Sequence, residues 1–332
     1  MEGKKKIREF YLEKYQQMLL SYLMVIKNHP KDINGEEKRN IRILKNLANT
    51  RFKRQLLVDT FADVNLNLKG DTSRELKELF FKLKLEKLTY KKVHSIYWHK
   101  KIKGFKELYA MNITDKNDVL YKYINSKNEL VAIEAQIALV DLSREDPSAT
   151  PFDFLSKLKT PFRLWEQITL HQVIVNRDIK VPDFGKWVLS KNPTVCMFCL
   201  RMIKEYQQVE NADKIDSLMY HNNINIRKLA IQVVGDLKLE NIVDTLKHIY
   251  KDETYENSLE IIKALGKIVN LHTIGFLQNV VDVEDDTQKQ IEAVKAIYNM
   301  GEIGKTYLEK MMNSDYKNYN IIIKHVLDKR IN

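Results

Sequence analysis

The sequence has few cysteines and few turn-forming residues. Only Cys196 and Cys199 occur, which excludes a disulfide framework and favours a reducing compartment. The 10 glycines and 6 prolines among 332 residues are too few for a collagenous or Pro/Gly-rich disordered chain. Because 44% of the residues are hydrophobic, the chain has enough apolar material to fold, and we expect helices joined by short loops.

Long hydrophobic runs are also missing. The longest apolar stretch, residues 18–26, is about half of the roughly 20 residues that a bilayer-spanning helix needs. The charged start, residues 1–6, precedes an amphipathic segment and not the apolar core of a signal peptide. We therefore expect a cytoplasmic chain that can also associate with the inner face of a membrane.

The net charge of +11 is unevenly distributed along the chain. Residues 1–103 contain 25 Lys and Arg against 12 Asp and Glu, whereas the remainder contains 30 against 32. A basic N-terminal third predicts an anionic partner, which can be a membrane surface, nucleic acid or an acidic protein. The predicted binding residues flank an amphipathic helix over residues 7–27 and are Lys4, Lys5, Lys6 and Arg8. A basic, solvated surface without a partner is the alternative.

One helical pattern recurs with a spacing close to 31 residues. In each copy, three intervening positions separate an apolar residue from an adjacent apolar pair. The central residue of each copy serves as its register residue. The predicted register residues are Gly104, Ala135, Ile168, Cys199, Ala230, Ile261, Ala293 and Ile322. A period of this length fits two helices of about 12 residues and two turns, which is a helical hairpin of the HEAT class.

These hairpins predict an all-α, right-handed α-solenoid. The register residues mark the second helix of each hairpin, and the first helices are predicted at residues 116–124, 151–158, 182–189, 212–220, 241–250, 272–281 and 304–312. Residues 91–332 form the predicted repeat array. Residues 1–90 do not follow the period and are predicted to form a basic, atypical helical cap, with helices at 7–27 and 36–68 and a third opening at Thr72 with capping-box spacing.

Two stretches of the array carry a family resemblance. Ile226-Arg227-Lys228-Leu229-Ala230 and Ile261-Ile262-Lys263-Ala264-Leu265-Gly266 resemble bacterial HEAT-repeat proteins with short repeats of the phycobilisome-lyase type, over roughly residues 92–332. The resemblance implies a helical solenoid with a scaffolding role. The lysine-rich start and residues 98–108 more loosely resemble bacterial HEAT proteins with an N-terminal membrane anchor. Such an anchor would lie upstream of Lys4, and we expect this chain to lack it.

Several motifs resemble sites that carry chemistry in other proteins. Cys196 and Cys199 form a CxxC pair, but no second ligand pair accompanies them and Cys199 is a register residue, so we expect core packing. Residues 301–306 end in Gly-Lys-Thr, yet their glycine spacing predicts a helix stop and start and not a phosphate loop. Some HEAT-repeat hydroxylases bind iron through His-Glu pairs, and no histidine here precedes glutamate. No catalytic residue, metal or cofactor is predicted.

The alternative function is nucleic-acid binding, including that of a HEAT-like DNA glycosylase. That family combines a basic solenoid with groove tryptophans and an acidic residue, which Trp165, Glu166 and Trp187 could mimic. Against this, large aromatics also fill gaps between hairpins, and the excess positive charge precedes these residues.

The second helices of a solenoid leave one narrow stripe exposed in its groove. Two positions after each register residue, this stripe is predicted to contain Lys106, Ile137, Leu170, Arg201, Gln232, Lys263, Lys295 and Lys324, which we call the ladder. The ladder predicts a non-enzymatic scaffold that binds another protein through an acidic segment, with no small-molecule substrate. A merely solvated face is the alternative.

Overall fold

The computed structural model describes residues 2–28, 33–68, 70–145, 150–177, 179–312 and 319–327. Over these ranges the chain forms α-helices, short 3-10 turns and loops, without a strand, so the all-α prediction is confirmed. No helix within these ranges is both long and apolar enough to cross a membrane.

Eighteen α-helices are present in the described ranges. In chain order they are α1 Glu2–Asn28, α2 Ile33–Leu47, α3 Arg51–Asn65, α4 Asp71–Lys82, α5 Glu86–Val93, α6 Trp98–Ala110, α7 Asn117–Tyr121, α8 Glu129–Leu142, α9 Leu164–Asn176, α10 Pro193–Glu205, α11 Ala212–Leu218, α12 Ile224–Asp236, α13 Val243–Ile249, α14 Tyr255–Ile268, α15 Ile274–Val283, α16 Thr287–Tyr298, α17 Glu302–Met312 and α18 Tyr319–Leu327.

The helices group into two compact units. Unit 1 contains Met1–Leu158 and Leu164–Lys180, and unit 2 contains Lys159–Arg163 and Val181–Asn332. The predicted boundary between a cap and a repeat array, after residue 90, lies inside unit 1. There α5 packs along α6, and α3 also contacts α6, so the predicted cap and the first hairpins share one unit.

Seven second helices share one frame around their register residue. Helices α6, α8, α9, α10, α12, α14 and α16 all begin six residues before it, and both the register residue and the residue four positions later are buried. The register residues are Gly104, Ala135, Leu170, Cys199, Ala230, Ile261 and Ala293. Positions i and i+4 lie on one face of a helix, so each helix buries the same stripe.

A polar side chain caps most of these helices at one position. Seven residues before the register residue, a side-chain oxygen accepts a backbone N–H of the first turn in α8, α10, α12, α14 and α16. The capping residues are Asn128, Asn192, Asn223, Thr254 and Asp286. These residue types are preferred there because the first four N–H groups of a helix have no partner within the helix.

In α9 the predicted register was wrong by two residues. Ile168 is 50% exposed, whereas Leu170 is fully buried and lies six residues after the start of α9. Leu170 comes 35 residues after Ala135 and 29 before Cys199, so additional chain before α9 displaces this one helix from the period.

Five of the second helices, α6, α10, α12, α14 and α16, also end alike. Eight residues after the register residue, the backbone adopts a positive φ between 52° and 74° at Asn112, Gln207, Lys238, Val269 and Gly301. This left-handed conformation is a common way to end a helix and usually selects glycine. Only one of the five is glycine, so residue type alone does not account for the turn. Gly301 separates α16 from α17, which confirms the predicted helix stop and start.

Glycine and alanine bring three second helices of unit 2 close together. A Cβ atom on Gly235 of α12 would lie 2.8 Å from the Cα of Ala264 in α14, and one on Gly266 would lie 2.8 Å from the Cα of Ala296 in α16. Both glycines stand five residues after the register residue, so the same contact recurs in consecutive hairpins.

Five of the seven first helices are shorter than predicted. Helices α7, α11, α13, α15 and α17 fall at the expected places, but the helices predicted at 151–158 and 182–189 are 3-10 turns, Asp153–Lys157 and Phe184–Lys186. Phe152, with φ +73°, precedes the first turn, and the Asp183 side chain accepts the N–H of Gly185 in the second. The backbone conformation of Phe152 and the hydrogen bond of Asp183 both favour tight turns over α-helices.

Two predictions in the N-terminal region were wrong. The single helix expected at 36–68 is α2 and α3, because Thr50 caps α3 through the N–H of Lys53, at 3.3 Å. Helix α4 begins at Asp71 after Gly70, whose φ is +65°, so Thr72 does not cap it. Ser73 instead donates a hydrogen bond to Asn65, at 2.9 Å.

Candidate functional site

In unit 2, charged residues at the C-terminal ends of the second helices meet on one surface. Asp236 of α12 forms ion pairs with Lys204 of α10 and with Lys267 of α14, both at 2.6 Å. Burial acts to raise the pKa of Asp236, but the hydrogen bonds from the two lysines outweigh it and lower that pKa. Three consecutive second helices therefore present charged residues from their last turns side by side.

In unit 2, carboxylates of the second helices lie beside the ladder residues. Gln232 donates a hydrogen bond to Glu260 at 3.1 Å, and Lys263 pairs with the same carboxylate at 3.2 Å. Lys295 pairs with Glu292 at 3.2 Å. Glu260 and Glu292 each precede a register residue by one position. Sequence reasoning missed them because it considered only positions following the register residue.

The remaining ladder residues differ in exposure. Arg201 and Ile137 are half-buried, Lys324 is exposed, and Lys106 is exposed and lies 3.7 Å from Glu134 of α8. Leu170 is fully buried, so its predicted place on an exposed ladder was wrong. With the register of α9 corrected, the equivalent position is Gln172, which is exposed.

The predicted anionic-surface residues lie on α1. Lys5, Lys6 and Arg8 are exposed, and the side chain of Lys4 lies outside the described residues. Two large apolar side chains in the same turns are also exposed, Ile7 by 52% and Phe10 by 57%. The start of α1 thus combines basic and apolar exposed side chains.

The predicted core role of the CxxC pair is confirmed. Cys196 and Cys199 are buried, and burial raises the pKa of the Cys196 thiol to about 12 and that of Cys199 well above its usual value. Neither thiol is poised for reaction, because the thiolate is the reactive form. Within the described chain, no group of three His, Cys, Asp or Glu side chains could hold a metal ion.

The two tryptophans proposed for a groove have different surroundings. Trp187 is buried and packs edge-on against Phe184, with ring centroids 6.2 Å apart, as expected for a side chain that fills a gap. Trp165 is 39% exposed, and Glu166 beside it is buried.

A polar cluster in unit 1 was not predicted. The buried Asp141 of α8 contacts two arginines, Arg144 at 2.8 Å and Arg177 at 2.6 Å, and the Arg177 guanidinium lies 4.7 Å from the ring centre of Tyr109 in α6. Burial raises the pKa of nearby Glu134, against the lowering effect of Lys106. Arg177 directly follows the last residue of α9 and is not a ladder position, so the repeat pattern gave no signal for it.

No protein-family model and no curated protein matches the chain. Among solved structures, an engineered protein aligns with 14% identity and a TM-score of 0.36, covering 86% of this chain and 87% of its own. Human deoxyhypusine hydroxylase in complex with glycerol aligns with 14% identity and a TM-score of 0.33, covering 90% and 99%. Neither overlap is close enough to carry an inference about this chain.

Proposed function

We propose that the protein is a non-enzymatic scaffold, a right-handed α-solenoid of HEAT-like hairpins that binds a segment of another protein along the ladder of its second helices. The observation that carries this proposal is the row Lys204, Asp236 and Lys267, in which two lysines share one carboxylate across three adjacent helices. The consecutive contacts of α10, α12, α14, α16 and α18 support the solenoid.

The partner segment is acidic in this proposal. Lys263 and Lys295 pair with carboxylates of their own helices three residues earlier, and both lysines remain more than 40% exposed. Such surface pairs contribute only about 0.3–0.5 kcal/mol, so a partner carboxylate can replace Glu260 or Glu292 at little cost. Asp236 is paired with two lysines, and this excess of positive charge also favours a negatively charged partner segment.

Reversal of the ladder charges tests this function. We expect the fourfold variant Arg201→Glu, Lys263→Glu, Lys295→Glu, Lys324→Glu to lose at least tenfold in partner capture from native lysate at physiological salt, because its charge then repels an acidic segment. Its helicity and melting temperature should stay near those of the unaltered protein, since the four side chains are exposed or half-buried and surface charges contribute little to stability. Captured proteins are quantified by mass spectrometry.

A matched control separates the ladder from net charge. Four exposed lysines of unit 2 outside the ladder, Lys191, Lys238, Lys251 and Lys310, are changed to Glu together. Equal loss of capture in both variants would contradict a ladder site, and salt-steep binding of duplex DNA by the unaltered protein would favour the nucleic-acid function.

The basic start of α1 faces an anionic surface in this proposal. Basic residues near an acidic leaflet contribute on the order of 1 kcal/mol each, and the exposed Ile7 and Phe10 add apolar area that can enter the headgroup region.

We expect the protein to sediment with phosphatidylserine vesicles, and the variant with Lys4, Lys5, Lys6 and Arg8 changed to Ser to bind at least tenfold more weakly. In a control variant, four exposed lysines elsewhere in unit 1 are changed to Ser, namely Lys82, Lys84, Lys122 and Lys127. Binding to neutral phosphatidylcholine vesicles that equals binding to the anionic ones would refute an electrostatic role for α1.

A further inference from the structure

A basic cavity lies in unit 1, and none of its described lining residues belongs to the ladder. Its volume is about 640 Å³, and it is formed at the end of α3, the start of α4 and the end of α6. Four cationic side chains line it, Arg74, Lys77, Arg144 and Arg177, whereas the carboxylate in the described lining is Asp71. We propose that this cavity binds a ligand through a phosphate ester group.

The strongest observation is that two arginines share one buried carboxylate. Asp141 is 1% exposed, and its two oxygens contact Arg144 at 2.8 Å and Arg177 at 2.6 Å. The pair therefore keeps one positive charge more than its carboxylate neutralises. Because both guanidiniums also line the cavity, the most direct way to balance this excess is an anion inside it.

The arginines are held in place before any ligand arrives. Arg177 stacks over the ring of Tyr109, with its guanidinium carbon 4.7 Å from the ring centre, and Arg144 also donates to the backbone carbonyl of Asp141, at 3.2 Å. Fixed guanidinium groups recognise phosphate well because they offer parallel N–H donors and lose little freedom on binding.

Hydrogen bonds also fix the part of the cavity that α3, α4 and α6 form. Ser73 of α4 donates to Asn65 of α3 at 2.9 Å, and Asn112, after α6, donates to Ser73 at 3.3 Å. Lys77 donates to the carbonyl of Asn112, which holds its ammonium group at the cavity. The three helix ends are thereby tied together, and Lys77 lines the cavity together with the two arginines.

The size and charge select the ligand class. A volume of 640 Å³ exceeds that needed for a free phosphate ion and lies within the 300–1,000 Å³ range typical of small-molecule sites. Asp71 and Asp141 neutralise two of the four cations, and the two positive charges that remain match a doubly charged phosphate ester. A phosphorylated metabolite and a phosphorylated side chain of another protein share this chemistry.

Calorimetric titration of the full chain with inorganic pyrophosphate tests the site. We expect saturable binding that is at least tenfold weaker in the variant Arg74→Gln, Arg144→Gln. Arg177 continues to neutralise Asp141 in this variant, so its helicity should be retained. A control variant, Arg42→Gln and Arg51→Gln, removes two exposed arginines of unit 1 outside the cavity and should bind as the unaltered protein does.

Two results would overturn the proposal: no heat of binding at millimolar pyrophosphate, or an equal loss in both variants. If the double variant fails to fold, the single change Arg74→Gln serves, since that side chain is 66% exposed and pairs with the exposed Asp71. Titration with glucose 6-phosphate and with a phosphoserine peptide then distinguishes the two sources, and tighter binding of either than of its dephosphorylated form supports the site.

Discussion

Replacing Glu107 by alanine is expected to lower the free energy of unfolding by about 3–5 kcal/mol, the usual cost of removing one partner from a buried ion pair. Glu107 of α6 is only 3% exposed. Its carboxylate contacts Lys92 of α5 and accepts hydrogen bonds from Thr89 at 2.7 Å and from Gln55 of α3 at 3.0 Å. One side chain therefore joins three helices of unit 1.

The loss is large because alanine leaves a charged partner behind. The Lys92 side chain is 14% exposed, and burial already lowers the pKa of its ammonium group despite the attraction of Glu107. Without the carboxylate, Lys92 must stay charged in a poorly solvated place, become neutral or expose α5 to water. Each outcome costs free energy.

Urea unfolding followed by circular dichroism measures this effect. The control is Glu78→Ala in α4, whose carboxylate lies 4.0 Å from Lys82 in a pair that is about half exposed, and which should change stability by less than about 1 kcal/mol. Similar losses in the two variants would mean that Glu107 is solvated in solution.

Changing Gly266 to alanine should destabilise the protein by about 1–3 kcal/mol, although alanine normally favours a helix over glycine by up to about 1 kcal/mol. The new methyl group would lie 2.8 Å from the Cα and 2.9 Å from the Cβ of Ala296. The backbone and the short side chain of Ala296 cannot change rotamer to avoid this contact, so α14 and α16 must move apart.

Gly275 provides the matched control for this prediction. It lies in α15 of the same unit, and a Cβ there would meet nothing within 4 Å. Gly275→Ala should therefore leave the melting temperature unchanged or raise it slightly, whereas Gly266→Ala lowers it. A neutral or stabilising effect of Gly266→Ala would show that the two helices do not approach as closely as described.

Much of the helical frame could be predicted because it repeats. At Ala135, Cys199, Ala230, Ile261 and Ala293 the apolar pattern identifies the buried face, since positions three and four apart share one side of a helix. The pattern failed in α9, where Ile168 and Leu170 are both apolar and only the helix start, set by the preceding chain, distinguishes them.

The candidate sites were harder to predict because they depend on contacts across helices. Asp141 and Arg177 are 36 residues apart, and no period brings them together in the sequence. Glu260 likewise looks like an ordinary surface residue until Gln232 of the previous second helix is seen to bond to it. Helix faces follow from local spacing, whereas charge partners follow from which helices are neighbours.

The left-handed turn that ends the second helices has a consequence for how unit 2 can change in length. It recurs at Gln207, Lys238, Val269 and Gly301, separated by 31, 31 and 32 residues, with little dependence on residue type. A gene duplication or deletion between two such turns joins chain ends that have the same backbone direction and helical phase. Unit 2 can therefore gain or lose one whole hairpin at a time, as modular proteins do in evolution, while its other hairpins keep their fold.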